Sequence, residues 1–226
     1  MSTPAPQETL PATAPHHETL RAALRDHGLV AILRSSLPGA PLVETVRTLA
    51  DAGVRCIEIT LPTPGGLAAL AELRGTLPPE CLLGVGTVTE TAHIEQVTSV
   101  GARFVVSPCN FPGLLPACND AGLGSLPGAF TATEAWAAWQ AGASAVKLFP
   151  AEPLGPRTVA ALHAPLPQLP LVPTGGIGLD DIRPYLDAGA LAVGIGSPLL
   201  KDALTGGSQK ELHARAAEFV ARCARA

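Results

Sequence analysis

Two ionisable residues lie inside apolar runs of this 226-residue sequence, a position that charged side chains rarely occupy without a partner. Lys147 belongs to the run Ala-Val-Lys-Leu-Phe-Pro, and it is one of only three lysines in a chain with twelve arginines. Glu58 lies in Cys-Ile-Glu-Ile-Thr-Leu, where residue alternation predicts a strand with Glu58 and Thr60 on one face.

Burial gives such a lysine a specific chemical use. Removal from water lowers the pKa of a lysine from its usual value of about 10.4 toward neutrality and leaves a nucleophilic amine. Lys147 is therefore a candidate for Schiff-base catalysis, with Glu58 as a neighbouring acid or base. A buried ion pair without a catalytic role, or a lysine that extends to the rim, is the alternative interpretation.

Two glycine-rich segments predict a site for a phosphate group. One is Pro-Thr-Gly-Gly-Ile-Gly, which contains Thr174, Gly175 and Gly176, and the other is Gly-Ile-Gly-Ser, which contains Gly196 and Ser197. Glycine lets backbone N–H groups approach an anion, and the start of a following helix adds partial positive charge. Ordinary tight turns are the alternative for either segment, but the presence of both after the seventh and eighth predicted strands favours phosphate.

Two polar residues at the ends of other strands are candidates for binding a carboxylate. Arg34 could hold it through two parallel hydrogen bonds, although a single arginine is more often a surface residue. Thr87, in Gly-Val-Gly-Thr-Val, could orient the same carboxylate or a carbonyl, or it could cap a helix. Gly84 and Gly86 in that run could leave room for a ligand, but they do not form the dinucleotide-binding pattern.

Eight apolar, strand-like runs alternate with Ala- and Leu-rich helical segments. The runs are Leu29–Arg34, Cys56–Leu61, Leu82–Val88, Phe104–Cys109, Gly124–Ala129, Ala145–Pro150, Leu171–Gly175 and Leu191–Ser197. Strands separated by helices are joined by crossovers and are therefore parallel. The predicted fold is an α/β (β/α)8 TIM barrel, in which reacting groups project from the C-terminal ends of the strands. A doubly wound sheet is the alternative, but no run is polar enough to form an exposed edge.

The N-terminal region differs from the rest in composition. Residues 1–16 are rich in Pro, Ala, Thr and Ser without periodicity, and they are predicted to be a disordered tail. A short helical pattern from Glu18 to His27 precedes the first strand. We therefore predict one barrel domain over residues 17–226, with an extra N-terminal helix.

Composition argues against several classes of function. The net charge is −4 and no block of like charges occurs, so no nucleic-acid partner is expected. The sequence has neither a signal-peptide pattern nor about 18 consecutive apolar residues, so no membrane association is expected. Five cysteines without a C-x-x-C pair indicate a reduced, cytoplasmic protein. His16 and His17 fall in the predicted tail and the other histidines are isolated, so no metal site is predicted.

Five motifs occur in an order that resembles the bacterial 2-keto-3-deoxy-6-phosphogluconate (KDPG) aldolase family. They are Glu-Ile-Thr-Leu, Gly-Val-Gly-Thr-Val, Val-Lys-Leu-Phe-Pro-Ala, Pro-Thr-Gly-Gly-Ile and Gly-Ile-Gly-Ser, and the resemblance spans roughly residues 29–200. It implies a class I aldolase of the Entner–Doudoroff pathway that works without a metal or other cofactor. Such an enzyme cleaves a phosphorylated keto acid to pyruvate and glyceraldehyde 3-phosphate. Members of the family are usually homotrimers.

The resemblance also implies a role for each matching residue. Lys147 matches the Schiff-base lysine, Glu58 the proton-shuttling glutamate and Thr87 the threonine that binds the pyruvate carboxylate. The phosphate-binding loops of the family match Gly175, Gly176, Gly196 and Ser197.

Some motifs match one branch of the family and some another. Gluconate-type enzymes carry an arginine shortly after the glutamate strand, where this chain has Leu61-Pro62-Thr63. Galactonate-type enzymes instead have an arginine that ends the first strand, like Arg34, and Leu154-Gly155-Pro156 is also galactonate-like. Thr174 is gluconate-like. The epimer at which the enzyme acts, and activity on 4-hydroxy-2-oxoglutarate, stay open at this point.

Two functions of other classes fit the same residues. A phosphate-binding barrel isomerase or synthase would use Glu58 as a base and Lys147 only for its charge. A barrel that binds a sugar phosphate as a sensor would need neither for catalysis.

Overall fold

A computed structural model describes residues 14–224, and strands alternate with helices throughout this range. The strands are β1 Leu29–Leu33, β2 Cys56–Thr60, β3 Leu82–Gly86, β4 Phe104–Val106, β5 Gly124–Leu126, β6 Gly128–Ala129, β7 Val146–Leu148, β8 Leu171–Pro173 and β9 Val193–Ile195. The helices are α1 Pro15–His27, α2 Leu42–Asp51, α3 Gly66–Leu73, α4 His93–Ser99, α5 Leu114–Asp120, α6 Ala132–Gln140, α7 Gly155–His163, α8 Ile182–Asp187, α9 Ser197–Leu200 and α10 Gln209–Cys223. A short 3-10 helix covers Ala203–Thr205.

The strands form a closed parallel barrel. Sheet pairing runs β5-β4-β3-β2-β1-β9 and β6-β7-β8, and every ladder is parallel. β5 and β6 are consecutive segments of one barrel strand, because the Pro127 carbonyl between them accepts a hydrogen bond from the Lys147 N–H at 2.9 Å. A bridge between Thr174 and Gly194 joins β8 to β9 and completes the circle. The predicted (β/α)8 barrel is confirmed, and the doubly wound alternative is wrong because the sheet closes through Pro127 and through the Thr174–Gly194 bridge, whereas a doubly wound sheet stays open with two edge strands.

Strand alternation divides the core into two layers. Residues that face the helices form the larger cluster, which includes Ile57 and Ile59 of β2. Residues that face the barrel axis form a separate cluster, which includes Cys56, Phe104 and Val172. Because side chains of a strand alternate between faces, Glu58 and Thr60 share the inward face with Cys56, as the sequence predicts.

Helix α1 closes the N-terminal end of the barrel. Leu20 and Leu24 are 1% and 0% exposed and belong to the inward-facing cluster, beside residues at the starts of the strands. Gly124, the first residue of β5, has no side chain at the point where Leu20 packs, and a Cβ there would lie 2.6 Å from Leu20 Cδ2. The opposite end of the barrel, where the strands finish, is therefore the end that is open to a ligand.

The N-terminal boundary differs from the prediction. Helix α1 begins at Pro15 rather than Glu18, with proline in the first turn, where its missing N–H costs nothing. His17, at the boundary of the predicted tail, is buried and its Nδ1 lies 2.7 Å from Ser144 Oγ, so this side chain anchors the start of the helix. The predicted tail otherwise falls on residues 1–13, which lie outside the described residues. Between residues 14 and 224, no helix has the length and apolar character that a membrane crossing needs.

Candidate active site

An open cavity of about 710 Å³ lies at the C-terminal ends of the strands. It brings together most of the residues singled out by sequence, namely Arg34, Lys147, Thr174, Gly175, Gly176, Gly196 and Ser197. Glu58 and Thr87 do not line this cavity. Glu58 lines a small interior cavity beneath it, which shares Lys147, Thr174 and Gly194 with the larger one. Thr87 reaches the site through Arg34.

Several of these residues lie in loops rather than in strands. The ladders end one or two residues before the predicted ends, at Leu33 in β1, Gly86 in β3 and Ile195 in β9. Arg34 and Thr87 follow directly after their strands and are less restrained by ladder hydrogen bonds. The shorter strands place these side chains at the mouth of the barrel instead of in its interior.

Lys147 is the central residue of β7, and its side chain lies on the floor of the cavity. The residue is 6% exposed, and the ladder fixes it between Gly128 of β6 and Val172 of β8. Burial lowers the pKa of the lysine, the Glu58 carboxylate opposes this by favouring the charged amine, and Arg34 lowers it slightly further. A larger fraction of Lys147 is thus a neutral, nucleophilic amine than for a lysine in water.

Glu58, in β2, is 1% exposed and faces the barrel axis. Its Oε2 has no hydrogen-bond partner among the described residues. Burial raises the pKa of this carboxyl, while the positive charges of Lys147 and Arg34 lower it. No direct ion pair joins Glu58 to Lys147 within residues 14–224. The raised pKa keeps a larger fraction of this carboxyl protonated than for a glutamate in water, which suits a general acid–base group.

The glycines of β3 give room to protein side chains. A Cβ on Gly86 would lie 2.7 Å from Glu58 Oε2, and a Cβ on Gly84 would lie 2.5 Å from Phe104 Cζ. The expectation that Gly84 and Gly86 leave room for a ligand is therefore wrong. Gly86 instead allows the Glu58 carboxyl to lie across the neighbouring strand.

Arg34 and Thr87 form a polar pair at the rim. An Arg34 Nη2 donates a hydrogen bond to Thr87 Oγ1 at 3.2 Å. Thr87 has a φ of +60°, a left-handed backbone conformation that is uncommon for threonine. Strained residues of this kind are concentrated at functional sites. The Arg34 guanidinium lines the cavity and the Thr87 hydroxyl is hydrogen-bonded to it, and this is a suitable pair of polar groups for a carboxylate.

The two glycine-rich segments follow β8 and β9 and line the same cavity, and β9 is the neighbour of β1, which Arg34 follows. Gly175 and Gly176 have φ values of +97° and +75°, so the turn after β8 requires glycine. The N–H groups of Gly176 and Ser197 donate to no acceptor in the described part of the chain. These unpaired donors are suited to an anion. Thr174 is buried beneath the turn, and its hydroxyl donates to the Val172 carbonyl at 3.2 Å.

Phe149 is a site residue that the sequence reasoning missed. The Lys147 Nζ lies 4.9 Å from the centre of its ring, and Phe149 also lines the cavity. An aromatic face beside the amine excludes water from the attacking nitrogen. The signal was present in the sequence, because residues two apart in a strand share a face.

Within residues 14–224, no group of three or more His, Cys, Asp or Glu side chains is arranged to hold a metal ion. The cavity offers an amine, a guanidinium and backbone donors, and the small cavity beneath it adds the carboxyl of Glu58. This set can form an imine with a ketone, move a proton, and hold a molecule that is anionic at both ends.

Comparison with known proteins gives consistent matches. A family model for KDPG and KHG aldolase matches residues 20–213. The 2-dehydro-3-deoxy-6-phosphogalactonate aldolase of Escherichia coli (strain K12) is 32% identical over 193 residues, which are 85% of this chain and 92% of that protein. The 2-dehydro-3-deoxy-phosphogluconate aldolase of Treponema pallidum (strain Nichols) is 39% identical over 148 residues, which are 64% and 69% of the two chains.

A solved structure matches the fold over most of its length. The KDPG aldolase from Legionella pneumophila, crystallised with pyruvate captured at low pH as a covalent carbinolamine intermediate, superposes with a TM-score of 0.71 at 26% identity. The match covers 90% of this chain and 95% of that one.

The burial of Glu58 predicts a pH-dependent cost in stability. The pKa of Glu58 is raised on folding, so its contribution to the free energy of unfolding is fully present below the unfolded pKa of about 4.3. This contribution is lost as the pH rises toward the folded pKa. We expect Glu58→Gln, which mimics the protonated acid, to raise the free energy of unfolding at pH 7 by about 0.5–2 kcal/mol. The gain should shrink as the pH approaches 4. Urea titrations across this range measure it, with Glu44→Gln on the surface of α2 as the control. A gain that is equal at pH 4 and pH 7 would contradict the assignment.

Proposed function

Because the chain belongs to the KDPG and KHG aldolase family of carbon–carbon lyases, we propose that it cleaves 2-keto-3-deoxy-6-phosphogluconate to pyruvate and glyceraldehyde 3-phosphate through a Schiff base on Lys147. The observation that carries this proposal is the position of Lys147, which is buried on the cavity floor directly above the cavity of Glu58. The covalent pyruvate adduct of the Legionella enzyme supports the same chemistry here.

The reaction begins with the neutral amine. Lys147 Nζ attacks the C2 ketone to form a carbinolamine, and loss of water gives a protonated imine. The positive imine nitrogen withdraws electrons from the C3–C4 bond. When this bond breaks, its electron pair moves toward C2–C3 and leaves the enamine of pyruvate on the lysine. The freed fragment is an aldehyde.

Glu58 carries the proton through the two halves of the reaction. Its carboxylate removes the C4 hydroxyl proton as the C3–C4 bond breaks, and the resulting acid later returns a proton to C3 of the enamine. Water then attacks the imine and releases pyruvate. Both steps need a group that is protonated and deprotonated near the working pH. A carboxyl with a raised pKa and an unpartnered oxygen is suited to this role.

The ends of the cavity position the reacting carbons. Arg34 and Thr87 bind the carboxylate of the keto acid, and the donors around Gly175, Gly176, Gly196 and Ser197 bind the distal phosphate. Thr174 supports the phosphate turn from below. Binding both ends of the substrate places C2 at the Lys147 amine and C4 near the Glu58 carboxyl. The substrate is then held in one reactive orientation, which lowers the entropic part of the barrier.

The galactonate epimer is a second substrate that a specific observation favours. Arg34 lines the cavity and is bonded to Thr87, in the position where galactonate-type enzymes have an arginine. Thr174 is the gluconate-like residue beside the phosphate turn, but its hydroxyl already donates a hydrogen bond to the Val172 carbonyl. This combination supports a cavity that accepts both epimers, and 4-hydroxy-2-oxoglutarate is a further substrate to examine.

The homotrimer stays a prediction from the family resemblance. A cytoplasmic location likewise stays a proposal, supported by five cysteines that are all free.

Reductive trapping tests the role of Lys147. Borohydride added with pyruvate should attach a reduced pyruvyl group to the wild type, and peptide mapping should locate it on Lys147. Lys147→Ala should not be labelled and should lose turnover, whereas the control Lys210→Ala should be labelled normally. Labelling at Lys201 would refute the assignment. Absence of any label would favour an isomerase or synthase, and tight binding of the phosphorylated acid without turnover would favour a sensor.

Proton exchange tests the role of Glu58. In heavy water, the wild type should exchange the methyl protons of pyruvate through the enamine, and NMR follows this directly. Glu58→Gln should slow exchange about 100- to 10,000-fold, the usual loss when a general acid–base group is removed. The variant should still be trapped by borohydride, because imine formation uses the lysine. Exchange at the wild-type rate would exclude Glu58, and Glu44→Gln is the matched control.

A coupled assay of pyruvate release compares the two phosphorylated epimers. We expect both to be cleaved with comparable kcat/KM, because the residues that distinguish the two branches are mixed in this cavity. A preference above about 100-fold would require a discriminating polar contact with the C4 hydroxyl and would contradict the mixed assignment.

A further inference from the structure

Lys201 stands out in the cavity wall because its backbone has an unfavourable conformation. Its φ and ψ are +47° and −115°, a region that side chains other than glycine rarely enter. Among residues 14–224, only Thr87 and Lys201 combine a side chain with a positive φ. Thr87 belongs to the Arg34 pair, and Lys201 lines the same cavity. A lysine in a backbone conformation that suits glycine indicates a functional role for its side chain.

Lys201 lies close to the proposed phosphate loops. It directly follows α9, and its N–H donates to the Ser197 carbonyl at 2.8 Å, so the two residues are one helical turn apart. Both line the cavity, together with Gly176 on the turn after the neighbouring strand β8. The amine of a lysine on this wall can approach an anion held by the loops.

Lys201 is a cationic residue of the cavity to which the proposed reaction assigns no role. The cationic residues of the lining are Arg34, Lys147 and Lys201, and the lining contains no carboxylate. Lys147 must be neutral to attack, and Arg34 is hydrogen-bonded to Thr87 and is assigned to the substrate carboxylate in the proposed function. The loops contribute only the partial charges of N–H groups. Lys201 is therefore the cation of the lining that the proposed function leaves unassigned, and a phosphate near −2 needs such a cation.

The neighbouring acids do not neutralise Lys201. The Asp202 carboxylate lies against Gly207, and Lys201 makes no ion pair within the described residues. Glu152 packs against Gly176 on the other loop and is exposed. Its negative charge beside the phosphate turn increases the need for a cation on the neighbouring loop, which follows β9.

We propose that Lys201 pairs with the substrate phosphate and sets the preference of the enzyme for phosphorylated over unphosphorylated keto acids. This inference rests on the proposed function, because it assigns the phosphate end of that same cavity. Lys201 is a binding residue in this scheme and takes no part in bond cleavage.

The test compares 2-keto-3-deoxy-6-phosphogluconate with 2-keto-3-deoxygluconate, which lacks the phosphate. We expect Lys201→Met to reduce the ratio of their kcat/KM values about 10- to 100-fold, mainly through KM, as for loss of one charge-assisted hydrogen bond. Lys201→Gly should reduce the ratio equally while fitting the backbone conformation. Lys201→Arg should restore most of it, and the control Lys210→Met on α10 should leave it unchanged.

Binding of inorganic phosphate, measured by calorimetry, separates this inference from the proposed function. The wild type should bind phosphate about tenfold more tightly than Lys201→Gly, whether or not the enzyme turns over. Wild-type phosphate binding without cleavage of either substrate would refute the proposed function and leave Lys201 supported. Equal phosphate binding, or an unchanged kcat/KM ratio in Lys201→Gly, would overturn the role of Lys201.

Discussion

The chemistry of this protein depends on holding one amine and one carboxyl out of water in the same barrel without joining them in an ion pair. A direct pair would fix the amine in its charged form and the carboxyl in its ionised form, and both would lose their chemical use. Burial works in the opposite direction, because it favours the neutral form of each group. The barrel achieves this separation by placing Lys147 and Glu58 on β7 and β2, two strands that do not pair.

Other parts of the barrel keep water away from Lys147 and Glu58 and leave space for the two side chains. The inward-facing apolar cluster and helix α1 exclude water from below, so the two polar groups are open only toward the cavity above. Gly86 leaves the space that the Glu58 carboxyl occupies, and Phe149 shields one side of the lysine amine. The larger cluster of aliphatic residues fixes the strands against the helices, and its members Ile177, Leu200 and Leu204, which lie outside the strands, also line the cavity. Stability and chemistry thus use different faces of the same strands.

The sequence predicted the barrel and the main site residues because both depend on local pattern. Alternation in β2 was enough to put Glu58 inside, and a lysine within an apolar run was enough to single out Lys147. Contacts between distant strands could not be predicted in this way. The use of Gly86 by Glu58 depends on strand register, and the place of Leu20 beneath the barrel depends on how α1 packs after the chain has closed. The start of α1 was missed because its anchor, Ser144, is 127 residues away from His17.

Helix α1 makes the two ends of the barrel different, because one end is closed and the other is open. The helix covers the end of the barrel where strands begin, whereas the cavity opens where they finish. A support attached to the exposed face of α1 would therefore hold the molecule by its closed end. Each molecule would then turn its mouth toward the bulk solution, so substrate diffusion would be unobstructed.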